Sequence, residues 1–448
     1  MPRLSRYLSI ECEWTDHALA ADPLERQTWS RIQISAGGRS VSRVWDREAQ
    51  SERASLYLSA FPIACWIVQN WWVLLYEPAR TDKVPPPTDF VIASHRAWLF
   101  RHCLRSAEAG LMLPRMCMYA DGRGVGVNWS ADDIDAYPHM PGQFVESGSV
   151  HMPTLEASEA LHAFVSSVVA RIANSTDDRA NRLRESWTAI ATADSEEEAF
   201  CRSAGRLGLD PYRSAKWDPA LATLLETGLG TERPIVVDFL EASETASAPE
   251  VWKWISGAEQ SANLQKSPRI KAPPLPSGSN PAMTGYVLAT KVRALADIPE
   301  KPLSDLKIAG EALGLGNVTL EQQNHLSSTS IRAAVGWRAG KTPVVTGPVP
   351  ARESSARFLH ARGLYHAAYA CEEGARLITD AHTWDQQASR AFAAELLAPQ
   401  AALVARLESA TKGQDSDDVI RSLAKEYRVG ELVVEHQLAN AGISLGDI

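Results

Sequence analysis

The sequence predicts an α+β protein of several domains: a mixed α/β N-terminal region, an α-helical middle and a mostly helical C-terminal domain. The chain has 448 residues, which is too many for one ordinary hydrophobic core. Strand-like runs are concentrated before residue 150, whereas the apolar residues from Thr154 onward recur with a helical period. A proline-rich segment at 266–281 then precedes the C-terminal third.

The composition is that of a globular protein, with 45% hydrophobic and 22% charged residues. A net charge of −9 argues against a broad basic surface for nucleic acid, although it is compatible with a local patch. The best apolar stretch, 60–76, is interrupted by Pro62, Gln69 and Asn70, so we expect no membrane association. The N-terminus lacks the apolar segment of a signal peptide, and six scattered cysteines are typical of free thiols. These features predict a cytoplasmic protein.

Residues 1–150 are predicted to form a Trp-rich mixed α/β domain. Eight of the 14 tryptophans precede residue 130, and we interpret them as core residues rather than as an aromatic binding surface. The apolar run at 56–75 predicts a buried helix beyond Pro62. Short strands are predicted at 31–35, 40–45, 116–119 and 125–129, the last two joined by a turn at Asp121 and Gly122.

Residues 151–265 are predicted to be an α-helical region. Ser195 and Glu198 have the spacing of a capping box, which predicts a helix start. Residues 266–281 contain five prolines and are predicted to be a linker. Helices are predicted at about 155–172, 182–191, 195–207, 219–227, 235–242 and 249–262.

Residues 282–448 are predicted to form the C-terminal domain. Helices at 285–295 and 302–314 come first, followed by a strand pair at 333–337 and 342–346. A further helix is predicted to begin near Ser354. This helix carries the most specific pattern in the chain.

Two segments of this domain carry the pattern in question. Residues 357–366 read RFLHARGLYH, and residues 391–399 read AFAAELLAP. The pair resembles the motif helix and the following helix of the ImmA/IrrE family of bacterial zinc metallopeptidases. The resemblance covers residues 282–448. It implies a zincin-like domain whose active helix carries HExxH.

The metal-binding letters of that motif are replaced here by Arg362-Gly363-Leu364-Tyr365-His366. The resemblance places Arg362 and His366 at the two histidine positions and Gly363 at the general base. It places Gln386, with Asp385 beside it, at about the third ligand. A guanidinium does not coordinate zinc, and glycine transfers no proton. The resemblance therefore implies a pseudopeptidase, for which we expect no catalytic residue and no cofactor.

The residues leave three uses of this degenerate site open. A rearranged zinc site would draw on His366, His382 and Asp385. A pocket made cationic by Arg357 and Arg362 would bind an anion such as a phosphate or a nucleotide. In the interpretation that we favour, Arg362 fills the ligand position and pairs with Asp385, because a buried unpaired charge is costly.

The resemblance implies a place among regulators of stress, phage and mobile-element responses, where family members cut repressors. A member without the cutting chemistry is expected to act as a regulatory or sensor protein that binds a protein partner, such as a repressor-like or effector protein, or a signal ligand. A zinc-dependent metallopeptidase with non-standard ligands is one alternative.

The other alternative is a nucleic-acid-associated defence or transcription regulator. Helices predicted at 419–427 and 431–439 have a helix-turn-helix pattern. However, the second helix carries Glu431 and Glu435 and no Arg or Lys, which is unfavourable for reading DNA.

Overall fold

In the computed structural model, the chain forms two compact units, unit 1 (residues 1–230) and unit 2 (residues 231–448). Both helices and strands are abundant, which confirms the predicted multi-domain α+β class. The division falls inside the segment 151–265, whose first helices belong to unit 1 and whose last two belong to unit 2. The structure describes residues 7–16, 19–79, 93–132, 141–226, 229, 233–268, 272–276, 280–323, 330–339, 342–409 and 416–443.

The strands of unit 1 form antiparallel sheets. β2 is the centre of the first sheet, where it pairs with β1, β3 and β6. β8 lies between β7 and β10, and β4 lies between β5 and β9. The bounds are β1 (Leu8–Trp14), β2 (Trp29–Ala36), β3 (Arg39–Ser40), β4 (Val44–Asp46), β5 (Ser51–Arg53), β6 (Leu56–Ser59), β7 (Arg115–Ala120), β8 (Val125–Ser130), β9 (Gly142–Phe144) and β10 (Gly148–Met152).

The helices of unit 1 cover its sheets and supply much of its core. Short 3₁₀ segments lie at Leu104–Ser106 and Pro211–Lys216. The α-helices are α1 (Pro23–Gln27), α2 (Phe61–Gln69), α3 (Trp71–Tyr76), α4 (Ala93–His102), α5 (Thr154–Arg171), α6 (Asp178–Ala191), α7 (Ser195–Arg206) and α8 (Pro219–Glu226).

Local sequence signals in unit 1 are mostly confirmed. The predicted hairpin is β7–β8, and its turn is held by Asp121, whose side chain accepts hydrogen bonds from the backbone of Arg123 and Gly124. The predicted Trp packing is confirmed where it is strongest, in a group that is at most 7% exposed: Trp66, Trp71, Trp72, Trp98 and Trp129.

One local prediction in unit 1 was confirmed in part, and another was wrong. The helix predicted beyond Pro62 is present, but it is broken at Asn70 into α2 and α3. The start of the apolar run, Leu56–Ser59, is a strand, in which Leu56 and Leu58 face the core while Tyr57 faces solvent. The N-cap of α7 is Asp194 rather than Ser195, since the Asp194 carboxylate accepts from the first free backbone N–H groups.

The described strands of unit 2 form one mixed sheet, and helices lie around it. The strand order is β11–β13–β14–β12, and β15 also pairs with β13. The strands are β11 (Leu264–Gln265), β12 (Thr319–Gln322), β13 (Ile331–Arg338), β14 (Thr342–Gly347) and β15 (Arg376–Thr379). The helices are α9 (Pro234–Ala242), α10 (Ala248–Ala262), α11 (Pro281–Leu295), α12 (Leu306–Ala312), α13 (Glu353–Tyr369), α14 (Trp384–Leu397), α15 (Gln400–Ser409), α16 (Ser416–Tyr427) and α17 (Glu431–Asn440).

The two helices that carry the motif, α13 and α14, pack against each other in unit 2. α13 also lies against β13, β14 and β15, and α14 lies against α11. Gly285 permits that second contact, because a Cβ there would come within 2.1 Å of the Ala388 carbonyl oxygen. Phe392, Leu396 and Leu397 of α14 are fully buried and belong to the core of unit 2.

Composition predicted free thiols and no membrane span. All six cysteines are free, and Cys103 and Cys117 lie opposite each other in an isolated antiparallel bridge. Within the described parts of the chain, no helix has both the length and the apolar character needed to cross a bilayer.

Candidate functional site

α13 presents two buried polar side chains toward β15 and α14. Arg362 is 4% exposed and His366 is completely buried. They are one helical turn apart, so they share one face of α13. The opposite wall consists of Thr379 at the end of β15 and Gln386 and Ser389 on α14.

Arg362 is held by three neutral acceptors. Its Nε donates to Ser389 Oγ at 3.1 Å, and one Nη donates both to the Thr379 carbonyl and to Gln386 Oε1 at 2.7 Å. Burial lowers the pKa of the guanidinium to about 9, and the charge of nearby Arg390 acts in the same direction. Arg362 therefore remains protonated at neutral pH while it links one helix to a strand and to a second helix.

Gln386 completes this link through its amide. Its Oε1 also accepts from the Thr379 backbone N–H at 2.8 Å, and its Nε2 donates to the Leu377 carbonyl at 2.7 Å. The amide thus binds the edge of β15 as a neighbouring strand would. Since both donors face Oε1 and a carbonyl faces Nε2, the orientation of the amide is fixed.

The predicted pair of Arg362 with Asp385 was wrong. Asp385 accepts from Arg376 at 3.2 Å and from the Tyr365 hydroxyl at 3.2 Å. The reason is helical geometry: successive residues of a helix point about 100° apart, so Asp385 and Gln386 do not face the same partner. Gln386 faces Arg362, and the carboxylate of Asp385 faces the other side.

Sequence reasoning missed Arg376, on β15, and its principal partner Asp238, on α9. Arg376 donates to both carboxylate oxygens of Asp238, at 2.7 and 2.8 Å, and the Leu377 N–H donates to the same carboxylate. Asp238 is 2% exposed. The available signal was a single carboxylate in the apolar run of α9, IVVDFL, because a buried acid requires a cation or several donors.

The ring nitrogens of His366 have no hydrogen-bond partner among the described residues. Burial lowers the pKa of this imidazole well below its usual value. The positive charges of Arg376, Arg362 and Arg390 lower it further, and Asp385 opposes them only in part. His366 is therefore a neutral ring in a field that disfavours any added positive charge.

α13 approaches β14 closely at Gly363. A Cβ built on Gly363 would lie 2.3 Å from Val345 Cγ2, well inside van der Waals contact. Val345 is fully buried and belongs to the core of unit 2. The space next to the first motif position is thus filled by a valine of the neighbouring strand, and a longer side chain at 363 has no room.

Arg357 and Arg362 do not converge on one anion pocket. Arg357 donates to the carbonyls of Leu303 and Ser304, whereas the acceptors of Arg362 lie on β15 and α14. Each guanidinium is therefore directed to protein oxygens on a different side of α13. The geometry gives no support to the anion-binding use of this pair.

Glu395, within the second motif segment, has a capping role. It is 3% exposed, and its Oε2 accepts from the Gln400 backbone N–H and from the Gln437 side chain, both at 2.9 Å. Burial raises the pKa of this carboxyl, and these hydrogen bonds oppose the rise. Glu395 thus joins α14 to the start of α15 and to α17.

The residues present do not fit the zinc ion that the motif would imply. His366 offers an imidazole, but Arg362 stands beside it and Gln386 is committed to β15. His382 and Asp385 do not join His366, since no cluster of three or more His, Cys, Asp or Glu side chains suited to a metal occurs within the described ranges. An additional cation beside His366 would also meet the charges of Arg362 and Arg376.

The geometry therefore describes a buried link between α13, β15 and α14, made by a guanidinium and an amide. No family model, no curated protein and no solved structure matches this chain.

Proposed function

We propose that this chain is a catalytically inactive, ImmA/IrrE-like regulatory or sensor protein of the bacterial cytoplasm. In this proposal it acts by binding a protein partner, such as a repressor-like or effector protein, and not by cutting one. The observation that carries the proposal is the 2.7 Å hydrogen bond from Arg362 to Gln386. It joins two of the positions that the resemblance assigns to metal ligands.

Two further observations support the absence of peptidase activity in this proposal. Val345 fills the space in which a general base at position 363 would have to lie. The cationic surroundings of His366 disfavour a divalent ion at the one imidazole that remains. Hydrolysis by a zincin needs both the ion and the base, and the residues at these positions suit neither of these two components.

A peptidase-like domain without catalysis can still bind a protein partner, and such binding is the basis of the regulatory role proposed here. The link through Arg362 keeps α13 and α14 in place without a metal, so the surface of unit 2 stays folded and available to a partner. The role in stress response or phage defence comes from the resemblance alone.

The experiment is a complementation series in the native host. A strain that lacks the gene receives the wild-type chain, His366→Leu or Arg362→Ala, and its transcripts are compared under stress and phage challenge. His366→Leu removes the imidazole and puts an apolar side chain in the same buried position. Because the proposal gives the imidazole no chemical role, wild-type regulation is expected. Arg362→Ala removes the link, so loss of regulation is expected.

The opposite pattern contradicts the proposal. If His366→Leu abolishes regulation at wild-type protein levels, the imidazole has a direct chemical role and the peptidase alternative is favoured. If deletion of the gene changes no transcript or phage response, the regulatory role itself is wrong. Immunoblotting of each strain separates loss of function from loss of the protein.

A further inference from the structure

Unit 1 contains a cavity of about 850 Å³ that none of the preceding chemistry uses. α2, α3 and α6 form its walls, and the turn at 209–213 closes one side. Its volume lies within the range of about 300–1,000 Å³ that is typical of small-molecule sites. The cavity lies wholly within unit 1, so it is independent of Arg362 and of the proposed function.

The inner surface of the cavity is apolar. Phe61 and Val68 of α2 and Leu183 and Ile190 of α6 line it, and each is at most 7% exposed. Trp72 of α3 adds an aromatic surface. Such a lining favours the flat apolar body of a ligand over a fully polar one.

A hydrogen-bond donor is available at this surface. Trp72 is 6% exposed, and its Nε1 has no hydrogen-bond partner of good geometry in the described part of the chain, although the Tyr212 hydroxyl lies beside it. A buried N–H without an acceptor costs free energy. A ligand oxygen in the cavity would supply an acceptor of better geometry than the Tyr212 hydroxyl.

The rim of the cavity carries arginines, of which one has no close ion-pair partner among the described residues. Arg101, Arg179 and Arg213 each pair with a carboxylate at 2.7 to 3.2 Å. Arg182 also lines the cavity and is exposed, and it forms no hydrogen bond or ion pair with any described residue. Glu185, one turn further along α6, is an opposing charge on the same rim, and the charge of Asp177 also interacts with Arg182.

From the apolar wall, the indole N–H that has no acceptor of good geometry and the exposed guanidinium of Arg182, we propose that this cavity binds a small aromatic anion. The ring system of the ligand lies against Trp72 and the apolar side chains of α2 and α6. Its carboxylate, phosphate or sulfonate group binds Arg182 at the rim, because a guanidinium forms strong charge-assisted hydrogen bonds with such oxygens. Glu185 weakens this attraction and limits the site to ligands with enough apolar surface.

The test uses two dyes with the same kind of aromatic body and different charge. 8-Anilinonaphthalene-1-sulfonate is anionic, and N-phenyl-1-naphthylamine is neutral. Both are titrated against the full-length protein by fluorescence. The variants are Arg182→Gln and Glu185→Gln at the rim, Ala189→Trp to fill the cavity, and Arg26→Gln, an exposed arginine on α1, as the matched control.

We expect saturable binding of the anionic dye that Arg182→Gln weakens about fivefold or more, with little effect on the neutral dye. Glu185→Gln tightens the anionic dye, because it removes the opposing charge. Ala189→Trp abolishes binding of both dyes, and Arg26→Gln changes neither. Circular dichroism verifies that each variant folds, and Ser186→Trp replaces Ala189→Trp if that variant does not.

Three results would overturn the inference. The first is absence of saturable binding of the anionic dye to the wild-type protein. The second is equal affinity of Arg182→Gln and Arg26→Gln for that dye. The third is unchanged binding in a folded variant whose cavity is filled by tryptophan, which would place the dye elsewhere on the surface.

Discussion

The guanidinium of Arg362 is buried among neutral oxygens, from Ser389, Thr379 and Gln386. Burying a charge without a carboxylate is costly, and the lowered pKa of Arg362 reflects that cost. Three hydrogen bonds to a charged donor offset it, because each is stronger than a bond between neutral groups. Gln386 is essential to this balance, since one amide oxygen serves both Arg362 and the strand edge.

The first prediction concerns Arg362 itself. Arg362→Ala removes three buried hydrogen bonds and leaves a cavity, so we expect the free energy of unfolding to fall by about 2–4 kcal/mol. Urea denaturation followed by circular dichroism measures it. Arg332→Ala, which removes an exposed partner of Asp380, is the matched control and should change stability by less than about 0.5 kcal/mol. Equal stabilities of the two variants would contradict the link.

The second prediction concerns the pH dependence caused by His366. The pKa of its imidazole is far below the usual 6.5 in the folded chain, so the unfolded chain binds more protons below about pH 6.5. Stability therefore falls as the pH decreases from about 6.5, with a slope that approaches about 1.4 kcal/mol per pH unit. Above that pH the group contributes no pH dependence.

His366→Leu should remove this contribution. Thermal unfolding of the wild type, His366→Leu and His436→Gln is measured between pH 7.5 and pH 5. His436 is exposed, so its substitution is expected to leave the acid sensitivity of the wild type unchanged. A His366→Leu variant that loses stability on acidification as steeply as the wild type would show that the imidazole protonates freely in the fold.

At the scale of elements, the contact of α13 with β14 at Gly363 determines what the motif helix can carry. Glycine in a helix is normally less stable than alanine by about 1 kcal/mol. Here an added Cβ would overlap Val345 Cγ2, so the usual sign is expected to reverse. Space, rather than helix propensity, explains the glycine.

The third prediction tests this reversal. Gly363→Ala should destabilise the protein by about 1–3 kcal/mol. Gly257→Ala on α10 is the control: a Cβ there meets nothing within 4 Å, so it should stabilise by up to about 1 kcal/mol. In a Val345→Ala background the cost of Gly363→Ala should shrink, because Val345 Cβ is 3.5 Å away. A stabilising Gly363→Ala would refute the overlap.

Many of the helices and strands of unit 2 were predicted from the sequence. The strand pair predicted at 333–337 and 342–346 is β13–β14, and the helix predicted from Ser354 is α13. The helix pair predicted at 419–427 and 431–439 is α16–α17. Each of these elements has a long periodic pattern of apolar residues or is bounded by residues typical of turns. Short strands such as β15 were missed, because four residues carry too little alternation to stand out.

The details of the site were less predictable. The resemblance predicted that Arg362, His366 and Gln386 are neighbours; in the structure Arg362 binds Gln386 and lies one helical turn from His366. The partner of each was not predictable, because it depends on how the two helices are rotated about their axes. The bond between Arg376 and Asp238 spans 138 residues, and no local pattern reports a contact at that separation.

At the scale of the whole molecule, each unit has its own large apolar cluster. The cluster of unit 1 runs from Leu8 to Cys201, and that of unit 2 from Leu288 to Leu438. The proline-rich segment predicted as a linker lies inside unit 2, where the Ser267 N–H donates to the Cys371 carbonyl. The boundary between the two units, at 230/231, therefore does not fall where the proline content is highest.

The fourth prediction is that the two units fold independently. Residues 1–230 and 231–448, expressed as separate fragments, should each show a cooperative thermal transition and native-like circular dichroism, because each retains its own core. A fragment cut at 282, the predicted domain start, lacks Asp238 and should be less stable than 231–448. Fragments without cooperative transitions would show that the units depend on each other.

The most direct test of the central claim, that Arg362 and Gln386 hold together what a metal would otherwise join, is the zinc content of the intact protein. The wild type and His366→Leu are purified without chelators, dialysed against zinc and then against metal-free buffer, and analysed by inductively coupled plasma mass spectrometry. Both are expected to retain far less than one zinc per chain and to unfold alike with and without a chelator. One zinc per wild-type chain, lost in His366→Leu and removed by a chelator with a fall in stability, would contradict the claim.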